Sequence, residues 1–275
     1  MTEKTVQTIE DIARLANVSK STVSRALNNS PLINPETRER IQKLAHEHNF
    51  RINAPARNLS MRQSHTLGFV SHACCGKSLS VEDLFGLEIM GGISDGLIEM
   101  GYDLLIIPAK PHDTAWAHHY LESGRVDGFI LITSIRKAKF VDNLVKTNVP
   151  FIIWSVPSPD NSYCTVCGDN IAGGRQATDY LLRTGRRNIG FIGGPADEPE
   201  VQHRFSGYQN ALISAGHSVD PNLVLYGDYS HSFAVSAVQR LLQQSPDLDA
   251  VFTNSDLMAI GAIEAIHAAG KRVPE

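Results

Sequence analysis

Between residues 8 and 49 apolar side chains return every three or four positions in three short runs, with no strand between them. Ile9, Ile12, Ala13 and Ala16 share one face of a first helix. Thr8 stands where a cap is needed, and Asp11 follows three residues on, as in a capping box. Asn17-Val18-Ser19 reads as a tight turn, with Ser19 capping a second helix whose Val23, Ala26 and Leu27 point inward. Lys20, Ser21, Ser24, Arg25 and Asn28 fall on its other face. A third helix opens at Asn34-Pro35, a cap followed by a first-turn proline, and carries Thr37, Ile41, Leu44 and Ala45 as its stripe.

Residues 1–50 are therefore expected to form a helical unit. Residues 51–64, polar and holding Pro55, read as a linker with a short helix from Ala54 to Ser60. From Thr66 the rhythm changes, and residues 65–275 alternate short β-rich runs with helical stretches. Strands are expected at 67–71, 102–108, 126–133, 150–156, 188–193, 223–226 and 250–253. Helices are expected at 84–100, 114–122, 137–146, 171–183, 201–214, 232–243 and 256–268. Strands separated by helices imply βαβ units and a parallel sheet. The unbroken runs Phe129-Ile130-Leu131-Ile132 and Phe151-Ile152-Ile153-Trp154 suit a sheet covered on both faces. The fold class is thus an α unit followed by an α/β core.

Charge sharpens the division. The 275 residues carry a net −4, but residues 1–62 hold ten Lys/Arg against six Asp/Glu, a net +4, which leaves −8 on the rest. A basic head on an acidic body is the asymmetry of a nucleic-acid-reading head. Hydrophobic residues make up 42% of the chain, as in an ordinary globular protein, and no apolar run reaches bilayer length. The first ten residues have no apolar h-region, so no signal peptide is read and the expected location is the cytoplasm.

Catalytic and metal chemistry find little support. Cys164-x-x-Cys167 lacks a second pair of matching spacing, and adjacent Cys74 and Cys75 are poorly placed as tetrahedral ligands. The eleven His show no HExxH-type spacing. Gly193-Gly194-Pro195 follows a strand but is not GxGxxG, and no Walker motif occurs. Gly92-Ile93-Ser94-Asp95-Gly96 spells GxSxG, yet it lies within an expected helix, whereas a nucleophile elbow needs a strand-to-helix turn. No enzyme activity, metal or cofactor is expected.

The strongest signal is Asn17-Val18-Ser19-Lys20-Ser21-Thr22-Val23-Ser24-Arg25-Ala26-Leu27-Asn28. A helix that enters the major groove needs one polar face for base edges and one apolar face for its own domain, and this segment has both. The stretch from Thr8 to Phe50 resembles throughout the headpiece of the lactose-repressor (LacI/GalR) family. The similarity continues through Asn53-Ala54-Pro55-Ala56-Arg57-Asn58-Leu59-Ser60, Val126-Asp127-Gly128, Gly190 to Pro195, Arg204 to Tyr208, and Asn254 to Gly261, so it spans essentially the whole chain. The headpiece motif is specific, while the core motifs are individually weak.

The resemblance implies a helix-turn-helix headpiece, a hinge and a periplasmic-binding-protein-like core of two parallel-sheet subdomains, about 65–157 and 163–275. It implies an inverted-repeat double-stranded DNA operator, a homodimer, no membrane partner, and a small-molecule effector, a carbohydrate. Lys20, Ser21 and Arg25 sit where the family reads bases. Thr8, Ser19, Thr22, Ser24, Asn28, Asn34 and Thr37 sit where it contacts phosphates or braces the docking. Asn53 begins the hinge helix, Ala56 lies on its DNA-facing side, and Leu59 holds the minor-groove wedge position. In the core, His72 lies in the loop after the first strand, and Asp169, Arg204, Tyr229, Asn254 and Asp256 match positions at the effector cleft. Their chemistry suits polyols: Arg and Asn donate to hydroxyls, Asp accepts, and Tyr stacks on a sugar face. Taken singly, each also reads as a surface or capping residue, Asp256 as the cap of the helix after it. Family members continue beyond Glu275 by roughly one βαβ unit, so the core is expected to be incomplete at that end. Two other functions use such a core, a transporter's solute-binding protein and a Rossmann-like enzyme. The first would carry an export signal and no helix-turn-helix, and the second lacks a catalytic set here.

Overall fold

The computed structural model describes residues 8–50, 63–71, 84–108, 115–132, 138–157 and 162–274, which divide into two compact units at His65/Thr66. The N-terminal unit is three short helices whose ends are written in the sequence. Thr8 opens α1 (Ile9–Ala16) with a capping box, its hydroxyl accepting from the Asp11 amide and the Asp11 carboxylate accepting from the Thr8 amide. Asn17 ends the helix in the left-handed region at φ 52°, which Asn tolerates better than most residues. Ser19 caps α2 (Lys20–Leu27), accepting from the Thr22 amide at 3.1 Å. Asn34 caps α3 (Pro35–Glu47), whose first residue is the proline.

The three apolar stripes meet in one cluster of Ile12, Ala13, Ala16, Val23, Ala26, Ile41 and Ala45. So small a core needs its loops tied down. From α3, Arg40 Nη2 donates to the Ala16 carbonyl at 3.1 Å, and Gln42 Nε2 to the Ala26 carbonyl at 3.3 Å and Asn29 Oδ1 at 2.8 Å. The first bond reaches a carbonyl at the end of α1; the other two hold the turn after α2, where the Ala26 carbonyl also accepts from the Asn29 amide at 3.2 Å.

The second unit holds two parallel sheets. In the first, β1 (Thr66–Ser71), β2 (Asp103–Ile106), β3 (Gly128–Ile132), β4 (Phe151–Trp154) and β5 (Cys164–Val166) take the order β2-β1-β3-β4-β5. In the second, β6 (Ile189–Gly193), β7 (Val224–Tyr226) and β8 (Ala250–Thr253) take the order β7-β6-β8. The helices between them are α4 (Leu84–Met100), α5 (Trp116–Glu122), α6 (Ala138–Lys146), α7 (Asn170–Arg183), α8 (Pro199–Ser214), α9 (His231–Gln244) and α10 (Asp256–Ala268).

Strand β6 shows why the apolar runs do not alternate. Ile189 and Phe191 pack with Tyr208 and Leu212 of α8, while Ile192 packs with α9 and α10 through Ala234, Val238, Leu241, Met258 and Ala262. Both faces are covered, so every position of the strand is buried. Burying Phe191 alone contributes roughly 1.5–3 kcal/mol. Around the first sheet, Val70, Phe129, Leu131 and Ile153 cluster with Trp116, Ala117, Val141 and Leu144, and the Trp116 ring meets Phe129 edge-on at 4.8 Å.

Helices α7 and α8 approach through two glycines. A side chain at Gly174 would run into the Arg204 carbonyl, and one at Gly207 into the Ile171 carbonyl. Only Gly allows two backbones so close.

Several expected elements are shorter than their apolar runs: β2 and β3 keep only the paired centre, and α5 begins at Trp116. Strand β5 was not expected. Cys164-Thr165-Val166 is exposed at both ends and has no apolar run, and its register against β4, Ile152 opposite Cys164, gives it its conformation. The GxSxG run lies within α4, as expected. Among the described residues no helix is long and apolar enough to cross a membrane, and no group of His, Cys, Asp and Glu could hold a metal ion.

Candidate functional site

The exposed face of α2 is built by its cap. Ser19 Oγ lies 2.8 Å from both Ser21 Oγ and Thr22 Oγ1, so three hydroxyls cluster at the start of the helix. Lys20, Ser21, Arg25 and Asn28 are exposed and Ser24 is half-buried, while Val23 and Ala26 are buried beneath them. Helix α2 therefore presents amide and hydroxyl donors at its N-terminus and a guanidinium one turn further on, a surface suited to phosphates and base edges. Thr8 and Asn34 are exposed at the starts of α1 and α3, and Thr37 is half-buried on α3. The Thr8 hydroxyl and the Asn34 side-chain amide cap their helices, which places them at helix N-termini. Asn53, Ala56 and Leu59 lie outside the described residues.

One residue of this surface was not singled out from the sequence. Glu10, in the first turn of α1, forms an ion pair with Lys20. Its signal was an acid next to Asp11, which the capping box had already explained.

The second cluster forms at the carboxyl ends of the three-stranded sheet. There β6 leaves with neighbours on both sides, the kind of switch point where α/β proteins hold ligands. Asn254 follows β8, and its amide donates to the Ile192 carbonyl of β6 at 3.0 Å. Arg204, half-buried on α8, donates from Nη1 to the Asn254 main-chain oxygen at 3.3 Å. The Asn254 side chain is only 9% exposed, and neither Oδ1 nor Nδ2 has a hydrogen-bond partner among the described residues. A buried amide without partners costs about 1–3 kcal/mol, so a site holding one is poised to receive a polar ligand.

Tyr229 follows β7 with φ 65°, and its ring lies on Gly194, where a side chain would collide with it. Burial, then the neighbouring Glu198 carboxylate, which also hydrogen-bonds it, pushes the phenol far above its usual range, with Arg204 pulling the other way. Close by, Glu200 Oε1 accepts from the fully buried Ser155 hydroxyl at 3.0 Å and from the Val156 amide at 3.2 Å. This joins the end of β4 in the first sheet to the start of α8 beside the second. Glu198 and Glu200 were not picked out in the sequence, because nothing in their spacing distinguishes them from first-turn acids.

Of the two aspartates expected at the cleft, one has a local structural role. Asp169 caps α7, its Oδ1 accepting from the Ala172 amide at 2.9 Å. Asp256 is not the cap of α10: Ser255 accepts from the Met258 amide at 3.3 Å, and Asp256 is the exposed first residue of the helix. The reason is geometric, since the capping residue precedes the first helical φ/ψ pair. His72 lies outside the described residues. A groove of about 480 Å³ lies elsewhere, between the carboxyl ends of α7 and α8, lined by residues including Asp179, Arg183, Arg187 and His217. Helix C-termini favour bases, and Arg187 Nη1 already donates to the Leu182 carbonyl there at 3.0 Å.

Two family models match the chain. The family described as "Bacterial regulatory proteins, lacI family" matches residues 8–53, and "Periplasmic binding proteins and sugar binding domain of LacI family" matches residues 78–275. The chain is 36% identical to the HTH-type transcriptional regulator CelR of Thermobifida fusca over 98% of its own length and 79% of that protein. It is 30% identical to the HTH-type transcriptional repressor CytR of Escherichia coli, over 99% and 79%. Among solved structures, the CelR–cellobiose complex superposes with a TM-score of 0.69 at 33% identity, over 97% of this chain and 80% of that one. The lac repressor dimer bound to operator and the anti-inducer ONPF gives 0.75 at 24% identity over 98% and 80%, a likeness of fold. The chain belongs to the LacI family of bacterial transcriptional regulators, which are DNA-binding proteins.

Proposed function

We propose that this protein is a cytoplasmic, homodimeric repressor whose affinity for an inverted-repeat operator is set by a carbohydrate bound at the carboxyl ends of the core strands. In this reading Lys20, Ser21 and Arg25 reach base edges, while Thr8, Ser19, Thr22, Ser24, Asn28, Asn34 and Thr37 hold phosphates or brace the helices that do. Asn53, Ala56 and Leu59 serve the hinge, with Leu59 as the minor-groove wedge. Twofold protein symmetry maps onto palindromic half-sites.

The observation that carries the effector assignment is the Asn254 side chain, buried with neither its donor nor its acceptor satisfied among the described residues. A sugar hydroxyl both donates and accepts, so one hydroxyl or an adjacent pair answers that amide. Arg204, Tyr229, Asp169, Asp256 and His72 complete the proposed pocket. Glu198 and Glu200 add negative charge beside it, which favours an uncharged sugar over a sugar phosphate. The comparison with a cellobiose complex points the same way. Calorimetry of the whole chain against neutral mono- and disaccharides, a hexuronate, a hexose phosphate and nucleosides tests this. A neutral sugar that binds and releases operator DNA is the expected result. Binding confined to the nucleosides or the anions would replace the carbohydrate reading.

A further inference from the structure

The surface that carries Lys20, Ser21 and Arg25 also carries a carboxylate, which is an odd neighbour for a phosphate backbone. Glu10 reaches from the first turn of α1 to the first turn of α2 and pairs with the Lys20 ammonium. Both side chains are 59% exposed, so the pair lies on the surface and fills no packing role. Its neighbour Asp11 has a structural task, closing the capping box and pairing with Arg14. Glu10 has no part in that box. An exposed ion pair adds little to folding, so stability alone is a poor reason for placing an acid here. Arg25, one turn along α2, has no ion pair among the described residues. The two bases of the reading face are therefore treated differently.

We propose that Glu10 is a specificity-determining residue of the DNA-binding surface, acting as a pair with Lys20. Neutralised by Glu10, Lys20 gains little from a bare phosphate and contributes little to sequence-independent binding. At a base edge the pair offers a donor beside an acceptor. A G·C pair presents the matching acceptor and donor in the major groove, guanine O6 next to the cytosine amino group; T·A offers thymine O4 and the adenine amino group in the same order, but only guanine adds N7 as a second acceptor for the ammonium. The ammonium donates to O6 and the carboxylate accepts from N4. On the reversed pairs, C·G and A·T, the order is swapped and the carboxylate faces O6 or O4 and repels it, as it does the phosphates elsewhere, so discrimination comes from the penalty as much as from the contact. This inference rests on the DNA-binding reading of α2.

The test uses the whole chain and its Glu10→Gln, Glu10→Asp and Lys20→Gln variants. Sites are selected from random-sequence duplex DNA, and affinity for the selected and a scrambled duplex is followed over a salt series. In Glu10→Gln, binding to the scrambled duplex should tighten several-fold. Its log–log salt slope should steepen by about 0.9 per bound headpiece, the mark of one more phosphate neutralised by each protomer. The preference for G·C over the reversed C·G at one base pair of each half-site should fall roughly tenfold. Glu10→Asp keeps the charge and should restore most of the discrimination, whereas Lys20→Gln should lose it without the gain on scrambled DNA. A Glu10→Gln profile and salt slope identical to wild type would overturn the proposal. So would a lowered melting temperature with equal affinity changes on both duplexes, which would make Glu10 a helix-dipole residue only. If the unaltered chain retains no duplex at all, the DNA-binding reading itself fails and takes this inference with it.

Discussion

Arg204 holds the backbone of Asn254 and leaves its side chain alone. The guanidinium donates to the Asn254 main-chain oxygen at 3.3 Å, while the side-chain amide of the same residue stays buried and without a partner among the described residues. Helix α8 thus fixes where the amide stands without using its hydrogen-bonding capacity. Preorganisation of this kind lowers the ordering cost of binding.

Replacing Asn254 by Leu should separate stability from function. The variant removes a buried polar group without partners, so the melting temperature of the sugar-free protein should hold or rise. Sugar affinity should fall by about 1–3 kcal/mol, because a hydroxyl then enters the site unanswered. Thermal melts with and without sugar check both halves, and sugar affinity equal to wild type would move the pocket away from Asn254.

The contact between α7 and α8 makes a second prediction. Gly174→Ala drives a methyl group into the Arg204 carbonyl, so it should cost about 1–3 kcal/mol in urea unfolding and weaken sugar binding by shifting Arg204. Gly173, one residue earlier, faces open space, and Gly173→Ala should be neutral or stabilising by about 0.5–1 kcal/mol. Equal behaviour of the two variants would mean that the close approach is not what positions Arg204.

Alkaline stability depends on Tyr208. Its hydroxyl donates to the Ile189 carbonyl at 2.7 Å, and burial, then the Asp220 charge, pushes its pKa up from 10.0 to about 12. The folded state therefore holds the phenolic proton after the unfolded chain has released it. This stabilising contribution is fully present below pH 10 and is lost as the pH rises towards about 12. Tyr208→Phe should cost about 0.5–1.5 kcal/mol at neutral pH and flatten the alkaline limb of a stability profile. A profile of unchanged slope above pH 10 would exclude Tyr208 as its source.

On the DNA side, Arg25→Ala should weaken binding to a selected operator by about 1–3 kcal/mol and relax preference at the base it reads. Anisotropy titrations of operator and scrambled duplexes are sufficient, since a pure phosphate contact would weaken both alike. Wild-type discrimination in the variant would reject α2 as the reading helix.

The N-terminal unit was legible because its information is local. Thr8, Ser19 and Asn34 act as caps within three residues of their partners, and the stripe through Ile12, Val23 and Ile41 follows helical spacing. The alternation of helices with apolar strands likewise identified a parallel α/β core, since strands buried on both faces cannot alternate. Local spacing carries no information about residues that meet only through the fold. Strand β5 owes its conformation to β4, Asp256 yielded the cap to Ser255, and the Glu10–Lys20 pair joins two helices. Only the tertiary structure sets Arg204 on the Asn254 carbonyl, Glu200 on Ser155 and Tyr229 over Gly194. Those contacts span from 35 to 50 positions of chain, distances over which a side chain's partner is decided by sheet order and helix packing.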